Sequence, residues 1–300
     1  MLTVIIPLYN KVYTIAESVN SVLSQSFREF ELIIVNDGSS DGSLATLSSI
    51  KDSRIRIFSK VNGGVSSARN FGIRNAKYDL IAFLDADDIW DKDFLEQMLI
   101  FRGSHSQASI FASNILLKSN NFKKNAINFI QSGYVIDYFK VALDHAIVTS
   151  SSVIIEKKVF DEVGFFNEDL RSGEDLDMWY RIINKYQLAF LNVPLAVYHL
   201  SEFNYNFSRI DFSKDFISKI NDLQINDIYW EQFKTFQIAK SLKPYYIFRY
   251  TNEIQNLVDK IKFKYLPFKF HLFYHLPRPI VGIFYSAYLR YVLKIKVEKA

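Results

Sequence analysis

DLIAFLDADDIWD, residues 79–91, couples an apolar run to four aspartates, Asp85, Asp87, Asp88 and Asp91. The run DLIAFL (79–84) is short and uniformly apolar, which predicts a buried strand. Carboxylates this close repel one another, so each must be hydrated, paired or matched to a cation. Three further runs read as strands: LTVIIP (2–7), ELIIVN (31–36) and the alternating RIRIF (54–58). Helical stretches separate them. Thr14 and Glu17 have the spacing of a capping box, and Ile15, Val19, Val22 and Leu23 then share one helical face. Two more helices are expected over about 44–50 and 65–76. This alternation predicts an α/β fold: a doubly wound, mainly parallel but mixed sheet with helices on both faces. Ligands of such sheets sit at the carboxyl ends of strands. Pro7-Leu8-Tyr9-Asn10, Asp37 to Gly42, and Asp85 to Asp88 all fall there.

The 300 residues accommodate one large domain or a domain with an appendage, and 49% hydrophobic residues can bury a sizeable core. No cysteine is present, which excludes disulfides, thiolate metal sites and thiol nucleophiles. The net charge of +4 hides an asymmetry. Lys240 to Ala300 holds 12 Lys+Arg against 3 Asp+Glu, a local net of +9, while the preceding residues net −5. The opening MLTVIIPLYN has no basic leader and is stopped by Pro7 and Asn10, so it is expected to belong to the fold rather than to a signal peptide. The longest apolar stretch, PIVGIFYSAYLRYVL (279–293), has 15 residues and contains Arg290, short of the ~18 a membrane span needs. The expected location is cytoplasmic. From about Ser208 aromatics and lysines dominate, which divides the chain into a catalytic domain over 1–205 and a basic, aromatic, helical region over 206–300.

Within DADDIWD, Asp91 is placed to cap a helix carrying Leu95, Met98, Leu99 and Phe101, with Asp93 in its first turn. Asp85, Asp87 and Asp88 either form a solvated turn or offer oxygen ligands to Mg²⁺ or Mn²⁺, which take carboxylates together with phosphate oxygens. Asp37-Gly38-Ser39 is turn chemistry or a nucleotide contact, with Asp41 placed to cap the next helix. In NGGVSSARNFG (62–72) the glycines allow close backbone approach, and Arg69 faces either phosphate and base or solvent. In SGEDLDMWYRI (172–182), Leu176, Trp179, Tyr180 and Ile183 share a helical face. Asp175 is then either the partner of Ser172 in a capping box or a general base for a hydroxyl.

TVIIPLYNK, ELIIVNDGSSDGS, NGGVSSARNFGI, DLIAFLDADDIW and TSSSVIIEKKVFDEVGFFNEDLRSGEDLDMWYRI occur in that order over roughly residues 1 to 200. This series resembles the family 2 glycosyltransferases, of GT-A fold. The resemblance implies that Pro7, Tyr9 and Asn10 lie beside a nucleotide, that Asp37 contacts its base, usually uracil, and that Arg69 lines the nucleotide pocket. It implies that Asp85 and Asp87 meet ribose and metal–diphosphate, with Asp87 the ligand of a divalent cation, Mn²⁺ or Mg²⁺. Asp175 corresponds to the catalytic base, with Glu174 on the acceptor side. Thr149 to Ser152, Ser151 among them, correspond to a segment near sugar and acceptor, and Asp88 lies in the second shell or on the acceptor side. The implied reaction inverts the sugar and moves it from a nucleoside diphosphate to a hydroxyl of a glycan or lipid-linked glycan, as in surface polysaccharide synthesis.

Three departures qualify the match. Asn36 stands where an aspartate is frequent. Tyr198-His199-Leu200-Ser201 replaces the family's Tyr-Arg-x-His, which makes His199 a metal-ligand candidate through a local shift. The Q-x-x-R-W signature of processive polymerising members is absent. Two other readings compete: a nucleotidyltransferase, which would share acidic metal ligands but leave Glu174-Asp175 unexplained, and a non-catalytic sugar-nucleotide-binding module, which would not need both acidic pairs. For the +9 region, no nucleic-acid motif accompanies the charge. A packed helical subdomain and attachment to an anionic membrane surface remain.

Overall fold

Seven consecutive buried residues, Leu2–Leu8, make β1, and β-branched content on both faces explains why it runs through the middle of a sheet. The computed structural model describes residues 1–119, 122–128, 130–199, 211–248 and 250–291. After β1 come α1 (Ile15–Leu23), β2 (Phe30–Asn36), α2 (Ser43–Leu47), β3 (Ile55–Ser59), α3 (Val65–Asn75), β4 (Leu80–Phe83), β5 (Ile89–Trp90) and α4 (Phe94–Ser104). Then follow β6 (Ala108–Lys118), β7 (Lys123–Asn125), β8 (Gly133–Val135), α5 (Tyr138–Val141), β9 (Val153–Glu156), α6 (Lys158–Val163), α7 (Glu174–Ile183) and β10 (Gln187–His199).

The sheet runs β3-β2-β1-β4-β9-β6-β10-β5, with β7 on β6 and β8 on β10. Helices flank it. β3, β2, β1 and β4 are parallel, while β9 runs antiparallel between β4 and β6. The expected α/β architecture is therefore present, mixed beyond β4. The four strands read from the sequence form its parallel half.

Register aligns the loops. Leu2↔Phe30 through Leu8↔Asn36 makes β1 and β2 end together, so Tyr9-Asn10 and Asp37 leave at the same edge. Ile5↔Phe83 brings Asp85 out there too. Because β9 is antiparallel, with Ala82↔Ile154, the residues before β9 arrive at that edge, and these include Ser151. Val197↔Ile89 in the antiparallel β10–β5 pair sets His199 opposite Asp87.

Pro7 lies inside β1, opposite Val35, as the strand reading of residues 2–7 has it, and the loop implied to lie beside a nucleotide begins only after Leu8. A strand proline needs a place where its missing N–H is not required; the registered pairing of β4 with β1 stops at Ile5, leaving that side of Pro7 outside the ladder.

Two capping expectations also change. Thr14 makes no side-chain cap to α1; its hydroxyl instead donates to the Ala86 carbonyl at 2.8 Å. α4 starts at Phe94 with Asp93 at its N-cap. Asp91 lies two residues earlier and accepts the Asp93 N–H at 3.0 Å in a local turn.

Contacts divide the chain into two units. The first comprises Met1–Tyr138, His145–Asp169 and Glu174–Leu200; the second comprises Phe139–Asp144, Leu170–Gly173 and Ser201–Ala300. A boundary near residue 205 falls outside the described residues. The second unit contains α8 (Phe216–Lys219), α9 (Trp230–Ser241), α10 (Lys243–Phe248), α11 (Asn252–Asp259), α12 (Phe268–His275) and α13 (Arg278–Tyr291). Its interior is aromatic. Phe139 meets Trp230 and Phe233 at ring separations of 5.0 and 5.3 Å. The buried Asp215 accepts from the Tyr245 hydroxyl at 2.7 Å and from the Ile217 N–H at 2.9 Å.

In the first unit α3 presses onto β1 at Gly72, where an added Cβ would stand 2.5 Å from Ile5 Cγ2. Ile5 is wholly buried and has no room to yield. Gly72→Val is expected to cost about 1–3 kcal/mol by overpacking. Gly103→Ala in α4, with no neighbour within 4 Å, should be neutral or stabilising by up to about 1 kcal/mol. Urea denaturation of the two variants checks the contrast.

Candidate active site

The strand-end loops enclose a cleft of about 360 Å³ in the first unit. Arg69, Asp85, Ser151, Glu174, Asp175 and Tyr198 line it, with Ile115 and Leu117 supplying apolar wall. Its volume lies at the lower end of the small-molecule range.

Arg69 organises the cleft. The side chain is 3% exposed, and α3 delivers it between two acids. Its Nη2 donates to Asp85 Oδ1 at 2.8 Å and its Nη1 to Glu174 Oε1 at 3.0 Å. The guanidinium also lies 5.4 Å from the centre of the Phe166 ring. Burial opposes its charge, but Asp85, Glu174 and Asp175 overcome that and hold it more firmly protonated than usual. The alternative of a solvent-facing Arg69 is thereby excluded.

Asp175 enters in the first turn of α7, just after Gly173, whose φ of 70° turns the chain into the helix. Its Oδ1 accepts the Leu176 N–H at 2.9 Å. Some of its surface reaches solvent, yet the surrounding protein is dense. Desolvation first, then the Glu174 charge, pushes its carboxyl up to about 6, against the opposing pull of Arg69. The buried face of α7 carries Met178, Trp179, Tyr180 and Ile182; Leu176 and Ile183, expected on it, are only partly buried.

The aspartates of DADDIWD have separate fates. Asp85 pairs with Arg69, and its N–H reaches Ser151 Oγ at 3.1 Å. Asp87 pairs with Lys11 Nζ. Asp88 does not reach the acceptor side: it is 2% exposed and turned beneath the loop. Ser151 Oγ donates to its Oδ2 at 2.5 Å, and the His199 N–H to its Oδ1 at 3.2 Å. Burial, reinforced by Asp85 and Asp87, pushes Asp88 up to about 8. Trp90 Nε1 fixes the Ser151 carbonyl at 2.7 Å, which completes the clasp.

His199 Nδ1 lies 3.0 Å from the Asp87 carbonyl. A carbonyl only accepts, so Nδ1 carries a proton, and Nε2 is the ring nitrogen that a metal would take. Among the described residues no three His, Asp or Glu side chains form a ready-made cation cage. Leu200 and Ser201 lie outside the described residues.

Asp37 is 2% exposed and clamps the next loop. It accepts from Lys60 Nζ at 2.6 Å, Gly63 N at 3.0 Å and Gly64 N at 2.7 Å. Gly63 N also reaches Oδ2 at 3.2 Å, so each carboxylate oxygen already accepts two hydrogen bonds and the group is fully engaged in holding this loop. Asn10, at φ 51°, exchanges bonds with Ser39 and Ser40, and Tyr9 is half exposed beside it. Asp41 accepts the Ser43 N–H at 2.9 Å, at the start of α2. Lys11, Lys60 and Tyr198 belong to the neighbourhood and were not singled out from the sequence. Lysine is generic on a surface, and only the pairing with Asp87 or Asp37 distinguishes these two.

The site is thus an acidic, arginine-centred cleft at the strand ends of an α/β sheet. The model of "Glycosyl transferase family 2" matches residues 3–164, and the chain belongs to that family. It is 33% identical over 204 residues to TuaG, a candidate teichuronic acid biosynthesis glycosyltransferase of Bacillus subtilis, covering 67% of this chain and 79% of that protein. An uncharacterized glycosyltransferase of Rickettsia felis is 35% identical over 241 residues, covering 79% of this chain. The chain spans about two fifths of that relative's length, 39%. The crystal structure of S. aureus TarS 1-349 in complex with UDP-GlcNAc superposes with a TM-score of 0.69 at 18% identity, covering 99% of this chain and 93% of that one, a likeness of fold.

Removing the guanidinium would leave Asp85 and Glu174 partly buried without a cation. Arg69→Met is expected to destabilise the protein by about 3 kcal/mol or more. Thermal and urea unfolding check it, with Arg74→Met, at an exposed ion pair, expected within about 1 kcal/mol of the parent.

Proposed function

We propose that the protein transfers a sugar, with inversion, from a nucleoside diphosphate donor to a hydroxyl of a glycan or lipid-linked glycan in surface polysaccharide synthesis. The observation that carries this reading is Arg69, which draws Asp85 and Glu174-Asp175 into one cleft although 90 residues separate the two aspartates. The TarS complexes with UDP and UDP-GlcNAc, and the teichuronic acid context of TuaG, support a uridine donor and a cell-surface glycan. Such an acceptor would be met at the inner face of the membrane, where the protein would work as a cytoplasmic, peripheral enzyme.

In this reading Asp175 accepts the proton of the acceptor hydroxyl. The oxygen attacks the anomeric carbon from the face opposite the diphosphate, and the bond from that carbon to the phosphate oxygen breaks. No sugar–enzyme bond forms. A carboxyl poised near 6 is ionised at neutral pH yet basic enough to take a proton in the transition state. Glu174 and Ser151 line the same cleft and would bound the acceptor. Tyr9, Asn10, Asp37 and Arg69 would bound the donor, with the backbone after Pro7 beside the nucleotide.

Asp87 and the Nε2 of His199 fit a hard divalent cation, Mn²⁺ or Mg²⁺. Asp87 already attracts a cation, Lys11, and such ions commonly take one or two carboxylates and complete their shell with phosphate oxygens. Bound there, the ion would supply Lewis-acid neutralisation of the leaving diphosphate.

Donor turnover tests the assignment. Asp175→Asn should bind donor and lose about 10²–10⁴-fold in rate, while Asp87→Ala should lose metal-dependent donor binding in calorimetry. Unchanged transfer in both variants would overturn it. The pH profile supplies a second check. Asp175 must be ionised to act, so the rate should fall as pH drops through about 6. Glu174→Gln removes a like charge and frees Arg69, and both effects lower the Asp175 pKa. The acid limb should therefore move to lower pH.

A further inference from the structure

α13 carries two opposed faces. Val281 is 4% exposed, Gly282 faces Ile247, and Tyr285 packs against Phe273 with ring centres 5.9 Å apart. On the other side Ile280, Ile283 and Phe284, spaced i, i+3 and i+4, are 43%, 70% and 70% exposed. α12 repeats the pattern: Phe270 and Tyr274 are buried, while Phe268 and Leu272, four residues apart, are 77% and 49% exposed. Single exposed apolar residues are ordinary on a protein surface. Five large ones on the outer faces of two successive helices are not explained by packing among the described residues of this unit.

The surroundings are basic. Exposed Lys264 and Lys269 bracket Phe268 in sequence, and Lys260 lies four residues before Lys264. Lys262 is engaged with Glu231, and Arg278, at the start of α13, donates to the Tyr246 carbonyl at 3.0 Å. The segment from Lys240 holds 12 basic and 3 acidic residues. A second copy of this face would set lysines against lysines, and an acidic protein partner would leave the phenylalanine and isoleucines unmatched. An anionic bilayer supplies both parts: headgroup phosphates for the lysines and an acyl boundary for the apolar side chains. Fourteen residues of helix are about 21 Å long, too short for a hydrocarbon core of about 30 Å. Among the described residues no helix is long and apolar enough to cross a membrane.

We infer that the outer faces of α12 and α13 form a docking surface for an anionic lipid bilayer, lying on it without crossing. The surface rests on the proposed function only in naming the inner leaflet as the place where an acceptor would be met. Flotation of the full chain with vesicles tests it. The parent should float with phosphatidylcholine–phosphatidylglycerol vesicles, less so at high salt, and not with phosphatidylcholine alone. Ile283→Asp with Phe284→Asp should lower partition about tenfold or more, and Lys264→Glu with Lys269→Glu should remove the preference for anionic lipid. Hydrolysis of UDP-sugars without vesicles, measured on the same samples, should be unchanged in both variants and reports that they are folded. Failure of the parent to float, or equal flotation of the Ile283/Phe284 variant, would overturn the surface, whatever the donor assay shows. Self-association of the parent in sedimentation, abolished by that variant while vesicles are ignored, would assign the face to a second copy and would likewise overturn it. Flotation as expected without donor turnover would instead count against the proposed function alone.

Discussion

The forked ion pair of Arg69 is the interaction on which the rest of the cleft depends. A guanidinium with 3% exposure cannot be held there without countercharge, since the desolvation cost is several kcal/mol. Asp85 and Glu174 provide that charge from well-separated parts of the first unit's sequence. The rigid fork suits two acceptors in one plane, which a lysine could not span. Arg69 also sets the electrostatic balance of Asp175. Burial and Glu174 drive that carboxyl towards its neutral form, and Arg69 limits the drift so that it stops near 6.

The sheet supplies the position of everything Arg69 joins. Parallel β1, β2 and β4 deliver three loops to one edge by register alone. The antiparallel β9 reverses the chain and brings Ser151 to the same edge from the other direction. β10, paired with β5, places the His199 backbone where its N–H reaches Asp88. Asp88 then serves the architecture. Its buried carboxyl ties the D-x-D loop to Ser151 and to the end of β10, three elements distant in sequence. Burial disfavours the charged form of this carboxyl, and the hydrogen bonds from Ser151 and His199 offset only part of that cost, which leaves it pushed up to about 8.

The parallel half was legible in the sequence because each of its strands is a short apolar run closed by turn residues. LTVIIP and DLIAFL predict their strands to within one or two residues. β10 was not named, since register shifts on both sides of Pro194 and a further one after Gln187 interrupt its pattern. Helix starts were the least secure. Thr14 has capping chemistry, but a tertiary acceptor, the Ala86 carbonyl, outcompetes the local one. Asp91 shows the same ambiguity, because an aspartate three residues before a helix can turn onto Asp93 as readily as cap it. The site residues were legible as types at strand ends. Their partners were not, because an ion pair such as Lys11 with Asp87 spans 76 residues and leaves no local pattern.

The four aspartates of DADDIWD now differ in what each can still bind. Asp91 is spent on a turn, and Asp88 is buried with both oxygens taken. Asp85 is committed to an arginine that is itself fixed by a second acid. Asp87, 38% exposed, meets a lysine that is 40% exposed, whereas Asp85, 29% exposed, is held by a buried arginine and the exposed Asp91 is held in its turn. A partly solvated ammonium on a four-carbon stem is the partner most easily exchanged, because water compensates both charges as they separate. The repulsion within the cluster raises the need for positive charge, and at Asp87 that charge is supplied by a partner on a flexible stem. Among Asp85, Asp87 and Asp88, Asp87 is therefore the one at which an incoming cation would displace the least structure.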